Sequence, residues 1–307
     1  MKSTVADNTL APRLDRALVL RETCRQKKAA MLQCLAQEFR IAVLEILHRR
    51  GTGHWGGAAS AAELLTTLYF DTMKVRPEDP HWADRDRLVL SKGHASCMLY
   101  TVLANRGYFP PEELPTFRQL DSRLQGHPSM IATPGVEMST GSLGHGTSVA
   151  LGMALAARLL GKSTWTYVLL GDGDLNEGQT WEAIMGAAKF KPPRLLALID
   201  YNKVQLDGPS DVIMPMDPLT AKFHAFNWNV APEPYDGNDA AAVLQSLDWA
   251  RAQTQWPAAI IYRTRKGRGV SFMENSAHWH GAAVDDETYR RASAELKATL
   301  AELERQL

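Results

Sequence analysis

Apolar residues recur with helical spacing along the first part of the chain. From about Asp15 to Arg50 they return every three or four positions, which predicts a helical region. The turn GTGHWGG then breaks the pattern. Ser60 and Glu63 fit a capping box ahead of AAELLTTLYF, so a second amphipathic helix is expected there. Further along, the small residues of TSVALGMALAARLL predict a tightly packed, largely buried helix.

Short apolar runs alternate with helical patterns in the rest of the chain. The predicted strands are RLVL, TWTYVLL, LLALIDYN, NWNVAPEPYDG and AAIIYRTR, and the predicted helices between them include CMLYTVLANRG, QTWEAIMGAAKF and AAVLQSLDWARAQ. This alternation predicts an α/β fold, a doubly wound and mostly parallel sheet with helices on both faces. We expect one domain over residues 1–307, with a peripheral helix at about 285–307.

Composition narrows the class of protein. Lys plus Arg and Asp plus Glu both total 34, so the formal net charge is zero, and neither nucleic acid nor an anionic membrane is an expected partner. The cysteines at 24, 34 and 97 lack CxxC spacing, which argues against a disulfide framework or a cysteine metal cluster. No segment approaches the roughly 20 apolar residues that span a bilayer. A cytoplasmic location is therefore expected.

Three short motifs imitate known binding sites without their structural context. GTGHWGG contains GxGxxG, but the segment before it has helical periodicity, whereas the dinucleotide fingerprint requires a strand. LLGKST lacks the first glycine of a phosphate-binding loop. RTRKGRG is brief and has no interleaved aromatic residues, so we interpret it as a solvated edge between a strand and a loop.

GDGDLNEG has the context that those motifs lack, because a predicted strand precedes it and a predicted helix follows it. Its backbone amides can face an anion while Asp172 holds a cation. The next strand ends near Asn202, and the ends of parallel strands can lie side by side at the carboxyl edge of a sheet. Asp172 and Asn202 could then share an octahedral Mg²⁺ with diphosphate oxygens. The alternative is two unrelated turns.

Five of the nine histidines lie in glycine-flanked or turn contexts, namely His54, His94, His127, His145 and His280. A single histidine is usually structural. Five in such contexts indicate a shared polar cleft that handles protons and anionic oxygens, although chance would also account for them.

The motifs together resemble those of thiamine diphosphate enzymes of the transketolase type, specifically the N-terminal, diphosphate-binding half. They occur in the order GTGHWGG, DRLVLSKGHAS, GHPS, STGSLGHG, GDGDLNEG with Asn202, and WHG. The resemblance extends from about Arg40 to Gly281.

The resemblance implies a ligand set. Asp172, Asn202 and the Val204 carbonyl would bind Mg²⁺ or another divalent ion such as Ca²⁺ or Mn²⁺. Thiamine diphosphate would contact His94, Gly141, Leu143, Gly173 and Asn202. Glu177 would belong to an acidic network that links the two cofactor sites of a dimer, whereas Asp174 is expected to be a solvated turn residue.

By the same resemblance, His54, His127 and His280 would face a sugar substrate and move protons during carbon–carbon cleavage. His278 is an alternative to His280. Trp55, Ser142 and His145 depart from the residues common in the family, which leaves the details of substrate fit open.

Single-chain members of this family carry a second, pyrimidine-binding domain, which supplies the glutamate that activates the cofactor. The sequence ends before such a domain, so we expect half of an active site: the A-type, diphosphate-binding subunit of a split transketolase, paired with a separate partner chain in an α2β2 assembly. The complete enzyme would transfer a two-carbon ketol unit from a ketose, usually phosphorylated, to an aldose.

Three alternatives remain open. The first is the α subunit of a 2-oxo acid dehydrogenase, against which SKGHAS and the sugar-facing histidines count. The others are a nicotinamide oxidoreductase built on GTGHWGG and a non-catalytic module that retains the fold.

Overall fold

A computed structural model describes residues 13–232 and 234–307. The predicted domain over residues 1–307 therefore includes positions outside the described residues. One position of the predicted strand NWNVAPEPYDG also lies outside them. Six strands form one sheet: β1 (Arg87–Leu90), β2 (Thr166–Gly171), β3 (Leu195–Tyr201), β4 (Asn229–Val230), β5 (Tyr235–Asp236) and β6 (Ala258–Arg263). Their order is β1-β2-β3-β6-β4, β5 also pairs with β6, and every pairing is parallel.

Eleven α-helices occur in the described part of the chain. They are α1 (Arg16–Arg21), α2 (Arg25–Arg50), α3 (Trp55–Ser60), α4 (Ala62–Thr67), α5 (Ser96–Arg106), α6 (His145–Leu159), α7 (Gly178–Phe190), α8 (Ser210–Ile213), α9 (Leu219–Ala225), α10 (Ala240–Arg251) and α11 (Asp286–Glu304). Within 13–232 and 234–307, no helix is both long enough and apolar enough to cross a bilayer.

The sheet is covered on both faces, which confirms the predicted fold class. Along β3, Leu196 and Leu198 point into a core with α2, α4, α5 and α10, while Leu195, Ala197 and Ile199 point into a core with α6, α7 and α9. All seven residues of β3 are buried. A strand packed on both faces has no reason to alternate apolar with polar residues, and this explains the continuous apolar run LLALI.

The helical region predicted from Asp15 to Arg50 is divided into α1 and α2. Between them, the Glu22 carboxylate accepts hydrogen bonds from the N–H groups of Thr23 (2.8 Å) and Cys24 (2.7 Å). These local hydrogen bonds compete with the backbone hydrogen bonds of a continuous helix, so α1 ends at Arg21 and α2 begins at Arg25.

The predicted capping box at Ser60 and Glu63 is wrong. Ser60 ends α3, and its hydroxyl donates to the Asp200 carboxylate at 2.6 Å rather than capping a helix. Glu63 lies inside α4 and forms an ion pair with Arg40, in which both side chains are buried. Every residue of α4 is buried, so this helix is not amphipathic; its polar side chains find partners inside the protein.

The predicted burial of α6 is also wrong for the single chain. Only Gly146, Thr147, Ala150 and Ala154 of this helix are buried, on the face toward β1 and β2. Its opposite face is partly or fully open to solvent. At the other end of the chain, α11 packs along α2 through Ala292, Leu296 and Leu300.

Candidate functional site

A cavity of about 260 Å³ opens at the carboxyl ends of β1, β2, β3 and β6. Its lining comes from the α2–α3 turn (His54), α3 (Gly57), the loop after β1 (Lys92, His94), the segment before α6 (His127, Gly141, Leu143), the end of β2 with the loop that follows it (171–174), the loop after β3 (Asn202 and 204–206) and the segment after β6 (Lys266, His280). Segments far apart in sequence therefore meet where open parallel sheets usually bind ligands.

Asp172 and Asn202 both line this cavity, because each directly follows one of the paired parallel strands β2 and β3. Asp172 is buried, and its Oδ2 accepts a hydrogen bond from the Ser210 hydroxyl at 2.6 Å. Burial raises the pKa of Asp172, while the Ser210 hydrogen bond opposes that rise. The Asn202 side-chain oxygen accepts from the Val204 N–H at 3.1 Å. Oxygen donors from the loops after β2 and β3 thus line one cavity.

Two buried lysines that the motifs did not identify face the same cavity. Lys92 donates to the Asp200 carboxylate. Lys266 donates to the Val204 carbonyl (2.8 Å), the Gln205 carbonyl (3.1 Å) and His280 Nδ1 (2.8 Å). The interpretation of RTRKGRG as a solvated edge is therefore wrong at Lys266, which is 2% exposed, although Arg263 and Arg265 are exposed. Burial lowers the pKa of Lys266 to about 8.

Asp200 compensates the positive charge beneath the cavity. It accepts hydrogen bonds from Lys92, Ser60 and Thr264, and it is fully buried. Burial alone would raise the pKa of Asp200, but the charge and the hydrogen bond of Lys92 outweigh burial and lower it. Asp200 is therefore an anion in the folded chain.

Four of the five histidines selected from the sequence form one cluster. The ring of His54 lies 5.6 Å from that of His94, 6.1 Å from that of His127 and 5.4 Å from that of His280, and the rings of His94 and His280 are 4.9 Å apart. His145 is exposed at the first residue of α6 and lies outside the cavity. His278, the alternative to His280, is likewise exposed and outside it.

The clustered histidines are neutral near pH 7. Burial, assisted by Arg118 and His127, lowers the pKa of His54 to about 4. Burial and the neighbouring Lys266 lower the pKa of His280 to about 3. Because the Lys266 ammonium donates to Nδ1 of His280, the ring proton belongs on Nε2, so this ring offers a hydrogen-bond donor to the cavity.

Glycines leave room beside two of the clustered histidines. A Cβ added at Gly57 would lie 2.6 Å from His94 Nε2, and one at Gly141, whose φ is +157°, would lie 3.2 Å from the His127 ring. Leu143 covers Gly173, whose added Cβ would meet it at 3.5 Å. Side chains at Gly57 and Gly141 would fill the space beside His94 and His127.

The two remaining acids of GDGDLNEG differ in environment. Asp174 is fully buried and accepts hydrogen bonds from Ser91, Gly144 and Gly171, so its prediction as a solvated turn residue is wrong. Burial raises the pKa of Asp174 against these hydrogen bonds. Glu177 is exposed at the start of α7.

The same arrangement of segments occurs in known proteins. The family described as "Transketolase, thiamine diphosphate binding domain" matches residues 31–299. The chain belongs to this transketolase family. It is 41% identical over 266 residues to the 6-deoxy-6-sulfo-D-fructose transketolase subunit SqwG of Clostridium sp. (strain MSTE9), covering 87% of this chain and 96% of that protein. The A-type subunit of the apulose-4-phosphate transketolase of Phocaeicola vulgatus is 37% identical, with 90% and 97% covered.

Solved transketolase structures agree with these similarities. The transketolase of Campylobacter jejuni superposes with a TM-score of 0.81 at 30% identity, covering 89% of this chain and 45% of that one. The chain therefore spans about half the length of that transketolase. The resemblance inferred from the motifs and the predicted fold are both confirmed.

Thiamine diphosphate is the cofactor of this transketolase domain, and the cavity suits its charged end. Lys92 and Lys266 both line this cavity. Among the described residues, no group of three His, Cys, Asp or Glu side chains is placed to hold a metal. GTGHWGG follows α2 and enters α3, so the strand that a dinucleotide fingerprint requires does not precede it.

The buried neutral histidines predict an acid-sensitive chain. The pKa of folded His54 lies below its ordinary value of 6.5, so below pH 6.5 the unfolded chain binds a proton that the folded chain does not. The free energy of unfolding should fall as the pH decreases from 6.5 toward 4, and His54→Gln should make the fall shallower. Urea denaturation of the cofactor-free chain between pH 6.5 and 4 measures the free energy of unfolding. Equal slopes for His54→Gln and wild type would contradict the prediction; His145→Gln, at an exposed site, is the control.

Proposed function

We propose that this chain is the A-type subunit of a split transketolase, which holds the diphosphate end of thiamine diphosphate and acts with a separate partner chain. The observation that carries the proposal is coverage: relatives named as transketolase subunits are matched over 96% and 97% of their own length. The complete enzyme would transfer a two-carbon ketol unit from a ketose to an aldose. Sulfofructose and apulose 4-phosphate in the names of relatives favour an anionic ketose, such as a sugar phosphate.

A divalent cation, Mg²⁺ or alternatively Ca²⁺ or Mn²⁺, would be held by Asp172, the Asn202 side-chain oxygen and the Val204 carbonyl. The Val204 carbonyl accepts a hydrogen bond from Lys266, and its second lone pair is available to a metal. One carboxylate leaves half of the cation's charge for the diphosphate to compensate. The cofactor itself would contact His94, Gly141, Leu143, Gly173 and Asn202, all of which line the cavity.

When bound, thiamine diphosphate supplies the carbon nucleophile and the electron sink for carbon–carbon cleavage. The protein residues orient the sugar and handle its protons. His54, His127 and His280 surround one part of the cavity and would donate hydrogen bonds to substrate hydroxyls. Neutral His54 and His127 could each also accept a proton from a hydroxyl as a bond breaks, whereas His280, whose Nδ1 is occupied by Lys266, would act only as a donor.

The partner chain would cover one part of the cavity rim, formed by the residues that follow Asn202 and Val204 in sequence. Leu206 lines the cavity yet is 62% exposed, and Val212, Ile213 and Met214 nearby are also exposed. Apolar side chains beside a polar cavity are expected where another protein surface completes the site. We expect the pyrimidine-binding domain of the partner to dock there. Glu177, exposed at the start of α7, would join the acidic network between two cofactor sites in an α2β2 assembly.

Two alternatives are less well supported. A 2-oxo acid substrate has no row of hydroxyls, so it would give the cluster of His54, His127 and His280 little to bind. A non-catalytic module has no physical need for buried charges at Asp172, Lys92 and Lys266, which are costly to retain. The described cysteines are free thiols, which agrees with the cytoplasmic location that we include in the proposal.

The first test of the proposal is dependence on the partner. Purified alone with Mg²⁺ and thiamine diphosphate, the chain should show no ketol transfer, because the cofactor-activating glutamate would lie on the partner. Activity should appear when the partner, identified by affinity purification, is added, and mass measurement should give two copies of each chain. Substantial turnover by the isolated chain would contradict the split-site proposal.

The histidine cluster predicts a loss of turnover rather than of cofactor binding. His54→Ala, His127→Ala and His280→Ala should each lower turnover of the complex by roughly 10²-fold or more, the range for lost acid–base catalysis. Thiamine diphosphate affinity should change little. His278→Ala is a matched control, since that ring lies two residues from His280 but outside the cavity. Weakened cofactor affinity with normal turnover of the bound form would show that these residues serve the cofactor instead.

Substitution of the proposed metal ligands should weaken cofactor binding itself. Asp172→Ala removes the anionic ligand and should abolish metal-dependent binding of thiamine diphosphate while the fold survives, because Asp172 follows a strand rather than packing in the core. Asn202→Ala should weaken binding less, since water can replace a neutral oxygen. Calorimetric titration of the complex measures both, with circular dichroism as the folding control and Asp121→Ala, an exposed position outside the cavity, as the matched variant. Unchanged affinity in folded Asp172→Ala would remove the basis for this metal site.

A further inference from the structure

The buried carboxylate of Asp174, in the loop after β2, has no role in the chemistry proposed so far. Asp174 is 0% exposed. Its Oδ1 accepts from the Ser91 hydroxyl at 2.5 Å and from the Gly144 N–H at 3.2 Å, and its Oδ2 accepts from the Gly171 N–H at 2.9 Å. These hydrogen bonds all come from protein groups, and both carboxylate oxygens are engaged by them.

The three donors belong to three different segments. Ser91 follows β1, Gly144 immediately precedes α6, and Gly171 ends β2. Ser91 is held from a second side as well, because a Cβ added at Gly146 would lie only 2.5 Å from the Ser91 side chain. Asp174 thus joins the β1 loop and the first turn of α6 to its own loop.

Each donor is adjacent in sequence to a residue that lines the cavity. Lys92 follows Ser91, Leu143 precedes Gly144, and Asp172 follows Gly171. A shift of any donor would therefore move a group that faces the cavity. This adjacency distinguishes Asp174 from a carboxylate that merely stabilises the fold.

We propose that Asp174 is a positioning residue for the cofactor: its carboxylate fixes the relative positions of the loops that carry Lys92, Leu143 and Asp172. The inference rests on the proposed function, since it assumes that the cavity binds the diphosphate. A carboxylate suits this task because it only accepts hydrogen bonds, and its two oxygens can take three donors arriving from different directions. An amide in its place would turn an N–H group toward one of the two backbone donors, Gly144 or Gly171, whichever way it was oriented.

The test compares Asp174→Asn with Glu137→Gln. Glu137 is another buried carboxylate, paired with Arg85 (2.6 Å) and Arg87 (2.7 Å), and it lies outside the cavity. Both variants should lower the melting temperature. Only Asp174→Asn should weaken thiamine diphosphate binding to the reconstituted complex in Mg²⁺, by roughly tenfold, as expected when a buried donor loses its acceptor. Absence of cofactor binding in the wild-type complex would instead count against the proposed function.

A second measurement needs no cofactor and no partner. Hydrogen–deuterium exchange of the full cofactor-free chain should be faster in Asp174→Asn at three separate segments, 88–95, 140–147 and 169–176, and unchanged there in Glu137→Gln. A lower melting temperature with unaltered affinity and unaltered exchange in these segments would make Asp174 a structural residue only and would overturn the proposal.

If Asp174→Asn does not fold, Ser91→Ala decides the question. It removes one donor and leaves the carboxylate with its two backbone partners, so the fold should persist. Exchange should rise at 88–95, and cofactor affinity should fall severalfold. Unchanged exchange and affinity in Ser91→Ala would overturn the proposal without recourse to the first variant.

Discussion

The ion pair between Asp200 and Lys92 is the interaction on which the floor of the cavity depends. Both side chains are buried beneath the carboxyl edge of the sheet. Because an unpaired charge in such a place is strongly destabilising, each partner requires the other. Asp200 also accepts from Ser60 and Thr264, so a single anion holds α3, the loop after β1 and the segment after β6. Electrostatic compensation, rather than apolar packing, sets the floor of this cavity.

The parts of the site that the sequence predicts are those decided by local chain geometry. Apolar runs identify β2 and β3, and a parallel sheet brings the residues that follow each strand to one edge. Asp172 and Asn202 could therefore be assigned to one place from their positions after those strands. The glycine-flanked contexts of His54 and His94 likewise indicated a shared polar cleft, and both rings line the cavity.

The parts that escaped prediction are decided by partners far along the chain. Asp174 is separated from Ser91 by 83 residues, and Lys266 from Val204 by 62. A charged residue in a glycine-rich turn is solvated unless a distant group replaces water, and no local pattern reveals that group. The predicted helix cap at Ser60 was wrong for the same reason. Ser60 matches a helix cap locally, but its hydroxyl donates to Asp200, 140 residues away.

The same reasoning extends from distant segments to a second chain. The small residues of α6 suggested burial, yet in the single chain one face of that helix is open, and Leu159 and Leu160 at its end are 83% and 70% exposed. Leu206 is equally out of place as an exposed apolar side chain on the wall of a polar cavity. Buried charges that are already compensated inside the chain, beside an exposed apolar side chain at Leu206, fit a protein that contributes half of a shared active site, as proposed above. The compensation of the buried charges lies in this chain, and the proposed partner would cover the exposed apolar surface and exclude water from the rim of the cavity.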